Sequence, residues 1–336
     1  MPRLLIAIDS LRSGVGRIAW NLANSLDGKY EVHILTSEKG PTTAKRRIFV
    51  HLIRRLRYPF MTITYSTILR PMISEIIHRV SPDIVHSLNV LPWGYVFRSE
   101  GVKSIISPSG SDVYPRQGRP IWAHFVERAL RDCPAIVCNS KWLSRYVQSN
   151  YHVQSVVIPT GVDTQAFRPS RDSARSRVVL FVGRLIEKKG ILDLAKAARA
   201  LPEYEFWLAG EGTLKIPVLS NMKILGFHNN IAPLYAAATI CAFPAHYENF
   251  PNTGLEAMAC GRTLVATERG FSEYVENGKD GILVRPHDVR SLIDSIRYLM
   301  ENDEARRRME RNARRKAVQY DWAAIAKRYE AFYETL

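Results

Sequence analysis

The chain has 336 residues, of which 46% are hydrophobic and 24% charged, and its 47 Lys+Arg against 32 Asp+Glu give a formal net charge of +15. This balance excludes intrinsically disordered and collagen-like chains, and the length predicts about two domains of ~100–200 residues each. No apolar run approaches the ~18 residues of a membrane-spanning helix, so we expect neither a membrane span nor a secretory signal peptide.

Short apolar runs alternate with helical patterns along the first half of the chain. A helix is predicted over residues 16–26, where Ile18, Leu22 and Leu26 share one face. The runs of strand length, each bounded by turn residues, are RLLIAI at 3–8, EVHIL at 31–35, PDIVHS at 82–87, KSIISPS at 103–109, AIVCNS at 135–140 and SVVIP at 155–159. Strands rich in Val and Ile with helices between them predict a parallel sheet that is covered on both faces.

A basic stretch at residues 45–60 lies between the second and third of these strands. Apolar side chains such as Ile48, Phe49 and Leu52 are interleaved with its cations, which are Lys45, Arg46, Arg47, Arg54, Arg55 and Arg57. Such a segment suits an anionic membrane surface, because each basic residue near the lipid adds ~1 kcal/mol. We expect membrane contact here, with a solvated surface helix or loop as the alternative. Nucleic acid is not expected, because the sequence shows neither a nucleic-acid-binding module nor an aromatic stacking platform.

The second half of the chain repeats the alternation and predicts a second doubly wound α/β domain. Its runs of strand length are RVVLFVG at 177–183, EFWLAG at 205–210, MKILG at 222–226, TICAFP at 239–244, TLVAT at 263–267 and GILV at 281–284. The predicted helices cover residues 191–201, 253–259, 289–300 and 303–320. Ligands of such sheets bind beyond the carboxyl ends of the strands.

The polar segment at residues 167–177 has no apolar period and predicts the boundary between the domains. We expect an N-terminal domain over residues 1–168 and a C-terminal domain over residues 169–320. The final segment, residues 321–336, completes the N-terminal domain as a helix. It carries apolar side chains at helical spacing that require a hydrophobic partner, namely Trp322, Ile325, Tyr329 and Phe332.

The four cysteines have neither CxxC spacing nor the density of a disulfide scaffold. We interpret Cys133, Cys138, Cys241 and Cys260 as small core residues of a protein in a reducing compartment. The sequence therefore predicts a cytoplasmic protein.

Two glycine-bearing loops are candidate binding elements. The turn Gly14–Gly16 lies between the first strand and the first helix, where glycine allows close approach to a phosphate or sugar and the helix presents unpaired N–H groups. A plain tight turn is an equally good interpretation. In the loop Gly183–Gly190, Arg184 and Lys189 follow the carboxyl end of a strand, where a diphosphate would bind. The alternative is two solvated cations on a surface loop.

The segment ENFPNTGLE at residues 248–256 is the most specific motif, because it places two carboxylates eight positions apart. Glu248 lies in the loop after a predicted strand, and Glu256 lies in the first turn of the next helix. Thr253 and Glu256 match the capping box S/T-x-x-E, so helix capping is the alternative role for Glu256. The loop gives Glu248 no comparable structural task.

These motifs resemble the donor-binding domain of retaining glycosyltransferase family 4 over residues 181–284. The matching pieces are FVGRLIEKKG, LAGEG, ILGF, ENFPNTGLEAMACG and ENGKDGILV, with weaker matches at Gly14–Gly16, at Asn139-Ser140 and at IPTGVDTQAFRP. The resemblance extends over nearly the whole chain. It implies the GT-B fold, in which two Rossmann-like domains face each other across a cleft, the first binding the acceptor and the second a nucleotide-sugar donor.

The resemblance also implies roles for individual residues. Arg184 and Lys189 would hold the donor diphosphate, Glu256 the ribose hydroxyls and Glu248 the transferred sugar, while Gly16 would approach the diphosphate from the first domain. The other implied donor contacts are Phe227 near the base, Asn249, Phe250 and Asn252 at the sugar and phosphate, and Thr253 and Leu255 along the nucleotide. The family needs neither cofactor nor metal, which agrees with the lack of any aspartate pair or His/Cys cluster at ligand spacing.

The sequence departs from the family pattern at two places. Ser109 stands where family members commonly have a histidine that positions the sugar, so we expect Ser109 and Gly14 on the acceptor side and a catalytic role for Asp112. His86 is the nearest histidine in sequence and either substitutes for the missing one or is structural. The second departure is Arg269–Phe271, where the family often has paired glycines.

The expected reaction is transfer of a sugar from a nucleotide diphosphate sugar to a glycan or lipid-linked acceptor with retention, as in cell-surface polysaccharide or glycolipid biosynthesis. Neither Glu248 nor Glu256 is free to act as a nucleophile, which favours same-face attack over the covalent route of retaining glycosidases. We expect the enzyme at the inner face of the cytoplasmic membrane. The alternatives are a non-catalytic nucleotide-sugar or membrane-binding protein, and an epimerase or phosphorylase on the same fold.

Overall fold

The computed structural model describes residues 1–11, 13–38, 47–53, 67, 70–97, 101–114, 120–170 and 177–336. The chain divides into unit 1, which comprises Met1–Thr160 and Trp322–Leu336, and unit 2, which comprises Gly161–Asp321. Every helix in the described ranges is too short or too polar to cross a membrane.

Unit 1 is built on a seven-stranded parallel sheet of order β3-β2-β1-β4-β5-β6-β7. Its strands are β1 (Arg3–Ala7), β2 (Glu31–Thr36), β3 (Ile48–Leu52), β4 (Ile84–Ser87), β5 (Lys103–Ile106), β6 (Ala135–Cys138) and β7 (Val156–Val157). Its helices are α1 (Gly14–Leu26), α2 (Arg70–Val80), α3 (Pro120–Asp132), α4 (Lys141–Tyr151) and, from the end of the chain, α10 (Trp322–Tyr333). Leu4, Leu5, Ile6 and Ala7 of β1 are all fully buried. Because successive side chains of a strand point to opposite faces, both faces of the sheet are covered.

Unit 2 is built on a six-stranded parallel sheet of order β10-β9-β8-β11-β12-β13. Its strands are β8 (Val178–Val182), β9 (Glu205–Ala209), β10 (Met222–Gly226), β11 (Ile240–Phe243), β12 (Leu264–Thr267) and β13 (Ile282–Val284). Its helices are α5 (Ile191–Ala200), α6 (Ala232–Ala237), α7 (Asn252–Ala259), α8 (Val289–Glu301) and α9 (Asp303–Val318). Val179, Leu180 and Phe181 of the central strand β8 are buried on alternate faces. Two doubly wound parallel sheets confirm the predicted α/β fold class.

Unit 2 begins at Gly161, ahead of the predicted boundary at residue 168. The reason is a set of hydrogen bonds that tie the segment after β7 to the end of unit 2. The Val162 N–H donates to the Tyr320 carbonyl at 2.9 Å, and the Thr164 N–H donates to the Asp321 carboxylate at 3.2 Å. Long-range hydrogen bonds of this kind leave no trace in local composition, so a polar segment alone places the boundary too late.

The basic stretch at residues 45–60 lies partly outside the described residues, which here comprise 47–53. Ile48–Leu52 forms the edge strand β3, which pairs with β2, instead of the surface helix or loop considered from the sequence. Phe49, Val50 and Leu52 are exposed on this edge. An edge strand with exposed apolar side chains needs protection by charge or by a partner.

The C-terminal helix α10 packs into unit 1 and buries Trp322, Ile325 and Tyr329. Tyr333 is the next fully buried aromatic of the helix, whereas Phe332, predicted to belong to this stripe, is only half-buried. Three turns of an α-helix take about 10.8 residues, so position 333 lies almost in line with Trp322, whereas position 332 lies ~80° away around the helix. Of the four cysteines, all of which are free thiols, Cys133 is partly buried and the others are buried.

His86 on β4 connects α10 to the sheet. Its Nδ1 lies 2.8 Å from the Tyr333 hydroxyl and its Nε2 lies 2.7 Å from the Ser107 hydroxyl. The ring has no exposed surface, and burial lowers the pKa of His86 to about 3. His86 is therefore a structural residue of the unit 1 core, and it does not replace the histidine that is missing at Ser109.

We predict that His86 makes the stability of the protein sensitive to acid. The pKa of His86 is about 3 in the folded protein and near ~6.5 in an unfolded chain, so the unfolded state takes up the proton first as the pH falls. The stabilisation is fully present above ~pH 6.5 and is lost as the pH falls towards ~3, by up to a few kcal/mol. We expect the unfolding free energy, measured by urea titration at stepped pH, to fall more steeply in the wild type than in His86→Gln.

The matched control for this experiment is His78→Gln, since His78 is exposed on α2. This variant should keep the steep wild-type profile. Parallel profiles for His86→Gln and the wild type would contradict the prediction.

Candidate active site

The candidate site lies at the carboxyl edge of the unit 2 sheet, where β8 and β11 are neighbours. The strand order reverses between them, with β9 and β10 on one side and β12 and β13 on the other. Ligands of open parallel sheets bind in the crevice at such a switch point. The loop at residues 183–190 leaves β8 and the loop at residues 244–251 leaves β11, so the two charged motifs of the sequence meet at this edge.

Gly190 sets the separation of these two loops through a close backbone approach. Its φ is +70°, and a Cβ atom at this position would lie 1.8 Å from the Pro244 carbonyl oxygen. Beside this contact, the His246 N–H donates to the Lys188 carbonyl at 2.9 Å. A side chain at position 190 would force the loops apart. Because the positive φ also favours glycine, both the close contact and the backbone conformation require a glycine here.

Lys189 and Glu248 form a salt bridge across the two loops, and about a fifth of each side chain is exposed. Burial and, to a smaller extent, the neighbouring charges of Arg184 and Lys188 together lower the pKa of Lys189 to about 8. The paired carboxylate favours the charged form, so Lys189 is cationic at neutral pH. Arg184 is exposed on the same loop. The structure thus gathers Arg184, Lys189 and Glu248 into one charged group.

Glu256 is buried on α7 and does not form the capping box. The helix begins at Asn252, and its N-cap residue Pro251 has no side-chain capping hydrogen bond. The Tyr235 hydroxyl lies 3.2 Å from the Glu256 carboxylate and 3.1 Å from the Thr253 carbonyl. A buried carboxylate near a helix N-terminus is suited to accept hydrogen bonds from a ligand. Sequence reasoning missed Tyr235, because it lies on a different helix and in no motif.

The turn after β12 supports the Glu248 loop from a second side. Gly270 has φ of +83°, and a Cβ atom there would lie 2.8 Å from the Glu248 carbonyl carbon. The Tyr274 hydroxyl donates to the Pro251 carbonyl at 2.6 Å, and its ring packs against Phe250 with 5.2 Å between centroids. Gly270, the single glycine of the segment Arg269–Phe271, is therefore the residue that packs against the Glu248 backbone.

The remaining residues predicted to bind the donor differ widely in exposure. Phe227 follows β10 and is 67% exposed, so its ring is free to stack on a ligand. Asn252 and Thr253 are half-buried at the start of α7. Asn249 and Phe250 are nearly buried, and Leu255 has no exposed surface because its side chain belongs to the core of unit 2.

Four predicted site residues lie in unit 1: Gly14 and Ser109 for the acceptor, Gly16 for the donor diphosphate and Asp112 for catalysis. A Cβ atom at Gly16 would lie 2.1 Å from the Ser10 carbonyl oxygen, whereas Gly14 has open space around it. Gly16 is therefore needed to pack α1 against the end of β1. The Asp112 carboxylate accepts hydrogen bonds from the N–H groups of Val90 at 3.0 Å and Ser109 at 2.9 Å. Burial raises the pKa of Asp112, and these hydrogen bonds oppose that shift.

Each half of the chain matches the model of a protein family. Residues 12–166 match the family model described as glycosyltransferase family 4, and residues 176–302 match the model described as glycosyl transferases group 1. The two matched ranges correspond closely to the two sheets of the structure. They include Gly14 and Asp112 in the first half, and Arg184, Glu248 and Glu256 in the second.

Similar proteins cover the chain from end to end. An uncharacterised glycosyltransferase of Methanocaldococcus jannaschii is 24% identical over 91% of this chain and 90% of its own. A Campylobacter jejuni N-acetylgalactosaminyltransferase that acts on a diphospho-undecaprenol-linked acceptor is 23% identical over 97% of this chain and 98% of its own. The crystal structure of HepE from Anabaena in complex with UDP-glucose superposes with a TM-score of 0.84 at 18% identity, with full coverage of both chains. The fold is therefore GT-B.

We predict that Gly190→Ala destabilises the protein far more than an equivalent change elsewhere. Gly190→Ala adds a clash with the Pro244 carbonyl to the strain of a left-handed residue, so the unfolding free energy should fall by ~3 kcal/mol or more. Gly278→Ala is the matched control, because Gly278 has φ of +76° with open space around it. It should lose only the ~1–2 kcal/mol of conformational strain. Equal losses in urea unfolding would contradict the role given to Gly190.

Proposed function

Because the chain belongs to glycosyltransferase family 4 and is a glycosyltransferase, we propose that it transfers a sugar from a nucleotide diphosphate sugar to a glycan or lipid-linked acceptor, with retention at the anomeric carbon. The observation that carries this proposal is the group formed by Arg184, Lys189 and Glu248 at the switch point of the unit 2 sheet, beside the buried Glu256. Cations next to carboxylates suit a ligand that combines a diphosphate with sugar hydroxyls.

The donor diphosphate would take the place of Glu248 as the partner of Lys189. These two side chains form a salt bridge with each other. A diphosphate carries more charge than one carboxylate and presents several oxygens, so Lys189 binds it as a point charge while Arg184 forks onto two of its oxygens. The Glu248 carboxylate is then released to accept hydrogen bonds from the hydroxyls of the transferred sugar.

The nucleoside would bind along α7. The Glu256 carboxylate accepts hydrogen bonds from the ribose hydroxyls, and the Tyr235 hydroxyl, 3.2 Å away, holds that carboxylate in place. The exposed ring of Phe227 provides a stacking surface for the base. Asn249, Asn252 and the backbone around them contact the sugar and phosphate from the loop that precedes α7.

We propose same-face attack for the transfer step, without a cofactor or metal. Glu248 and Glu256 are both committed to donor hydroxyls, so the departing phosphate oxygen accepts the proton of the acceptor hydroxyl as the new glycosidic bond forms. Arg184 and Lys189 stabilise the negative charge on the leaving nucleotide. Gly14 and Ser109 of unit 1 remain the proposed acceptor-side residues, Gly16 the proposed contact to the donor diphosphate and Asp112 a proposed catalytic residue.

The similar proteins support this choice of substrates. HepE was crystallised with UDP-glucose, which has a nucleoside diphosphate and a sugar in one molecule. The Campylobacter jejuni relative is named for a lipid-diphosphate-linked acceptor. We therefore propose a nucleotide-sugar donor for unit 2 and place lipid-linked glycans first among the acceptors.

We predict that one family of nucleotide sugars stabilises the protein against heat. At 100 times its dissociation constant, a ligand adds ~2.7 kcal/mol of apparent stability. Differential scanning fluorimetry with UDP-, GDP-, ADP- and TDP-sugars should show a shift with one nucleotide, and Arg184→Ala and Glu256→Gln should abolish it. Arg199→Ala is the control for charge, since Arg199 is exposed at the end of α5.

Activity then separates the enzyme from a non-catalytic binding protein. Donor hydrolysis or transfer should disappear in Glu248→Ala while nucleotide binding remains, and the product should keep the anomeric configuration of the donor. Binding without any turnover in the wild type would favour the non-catalytic alternative. A covalent sugar adduct trapped on either glutamate would contradict same-face attack.

The edge strand β3 supports a proposed peripheral location on an anionic membrane. Phe49, Val50 and Leu52 are 45%, 38% and 49% exposed on this strand. Three arginines follow the strand directly in sequence, at positions 54, 55 and 57, outside the described residues. Apolar side chains at the acyl boundary with cations at the headgroups form the usual composition of an interfacial anchor.

We predict binding to phosphatidylserine-containing vesicles at moderate salt. Removing three cations costs ~3 kcal/mol, so Arg54→Ser/Arg55→Ser/Arg57→Ser should lower the partition coefficient in a sedimentation assay by about 100-fold. The matched control removes three exposed arginines of α9, as Arg307→Ser/Arg311→Ser/Arg315→Ser, and should bind as the wild type does. Failure of the wild type to sediment, or an equal loss in both variants, would contradict this location.

A further inference from the structure

Across the described ranges, one group of three potential metal ligands gathers in unit 2, and it comprises Asp193, His246 and His287. Asp193 lies in the first turn of α5, His246 follows β11 two residues before Glu248, and His287 lies between β13 and α8. Their ligand atoms all lie within 4.8 Å of one another. The function proposed above uses none of these side chains.

The distances fit a small divalent ion once the His287 ring rotates. His246 Nε2 and His287 Nδ1 lie 2.8 Å and 3.9 Å from the same oxygen, Asp193 Oδ2. In a tetrahedral zinc site with bonds of ~2.0–2.1 Å, ligand atoms are separated by about 3.3 Å. The observed distances lie on either side of that value. His287 is 69% exposed and can move, whereas the buried Asp193 is fixed.

The surrounding contacts restrain two of the three ligands, Asp193 and His246. Lys196 donates to the other carboxylate oxygen, Asp193 Oδ1, at 3.1 Å, which leaves Oδ2 to face both imidazoles. His246 is held through its main-chain N–H by the Lys188 carbonyl. The two imidazole rings are stacked with a tilt of 33° and 3.7 Å between centroids, so the exposed His287 ring must rotate before both rings point at one ion. Metal-binding side chains commonly depend on such second contacts for their orientation.

The chemistry of the donor set selects the class of ion. Two imidazoles and one carboxylate match the ligands that Zn²⁺ and its transition-metal neighbours prefer, with the remaining position open to water. Mg²⁺ and Ca²⁺ require six or more oxygen ligands, which this group does not offer. The positive charge of Lys196 repels a bound cation, but the ammonium contacts the carboxylate oxygen that points away from the two rings.

We propose that Asp193, His246 and His287 form a binding site for Zn²⁺ or a related transition-metal ion. The ion connects the first turn of α5, the loop that carries Glu248 and the residue before α8. It therefore restrains the loop that carries Glu248 against the first turn of α5, and it takes no part in the transfer reaction. The site rests on these side chains alone and stands independently of the proposed function.

Direct metal binding tests the proposal. Tag-free protein is titrated with ZnCl₂ in a calorimeter, and Co²⁺ is used in parallel because its visible absorption reports imidazole ligation. We expect one equivalent of Zn²⁺ per chain. His287→Asn should weaken binding at least ~10–100-fold, since even a change in the second shell of a metal has that effect. His246→Gln should weaken it similarly and should remove the Co²⁺ absorption.

The choice of variants keeps folding separate from binding. His287 has φ of +66°, a conformation that asparagine tolerates, so His287→Asn should fold as the wild type does. His152→Asn is the matched control, because His152 is another exposed histidine with positive φ, 57°, and lies in unit 1. It should bind Zn²⁺ as the wild type does. Absence of binding in the wild type, or binding that is equal in His287→Asn and His152→Asn, would overturn the proposal.

Discussion

The contact between Gly190 and the Pro244 carbonyl is the constraint on which the unit 2 site depends. Parallel strands deliver two charged loops to the same edge of the sheet, but only a glycine with positive φ lets them approach to backbone contact. This approach puts Lys189 against Glu248. The cation loop and the acidic loop therefore form one site and not two neighbouring surfaces.

The Lys189–Glu248 pair compensates two charges at this site. Partial burial makes an unpaired ammonium or carboxylate costly, and the salt bridge removes that cost. In the proposed complex, a diphosphate would replace one partner and a sugar hydroxyl the other, so binding would exchange one set of charge-assisted hydrogen bonds for another. The Tyr235 hydroxyl restrains the Glu256 carboxylate, which is the proposed partner of the ribose hydroxyls.

A second group of side chains lies at the same edge of the sheet, and no sequence motif predicts it. Asp193, His246 and His287 are distributed over three connections, and the packing of α8 against α5 brings them within reach of a single ion. His246 lies two residues before Glu248, so one loop contributes a side chain to each of the two groups. An ion bound there would stiffen the acidic loop without touching the donor.

The sequence by itself determined the α/β class, most strands and the charged motifs, because Val-rich runs and glycine-bounded loops are local patterns. It could not determine what depends on contacts between distant segments. The start of unit 2 at Gly161 rests on hydrogen bonds to Tyr320 and Asp321, and the strand β3 rests on pairing with β2. Tyr235 lies outside every motif. The spacing of residues along the chain carries no information about such contacts, because they form only when distant segments assemble into the sheet.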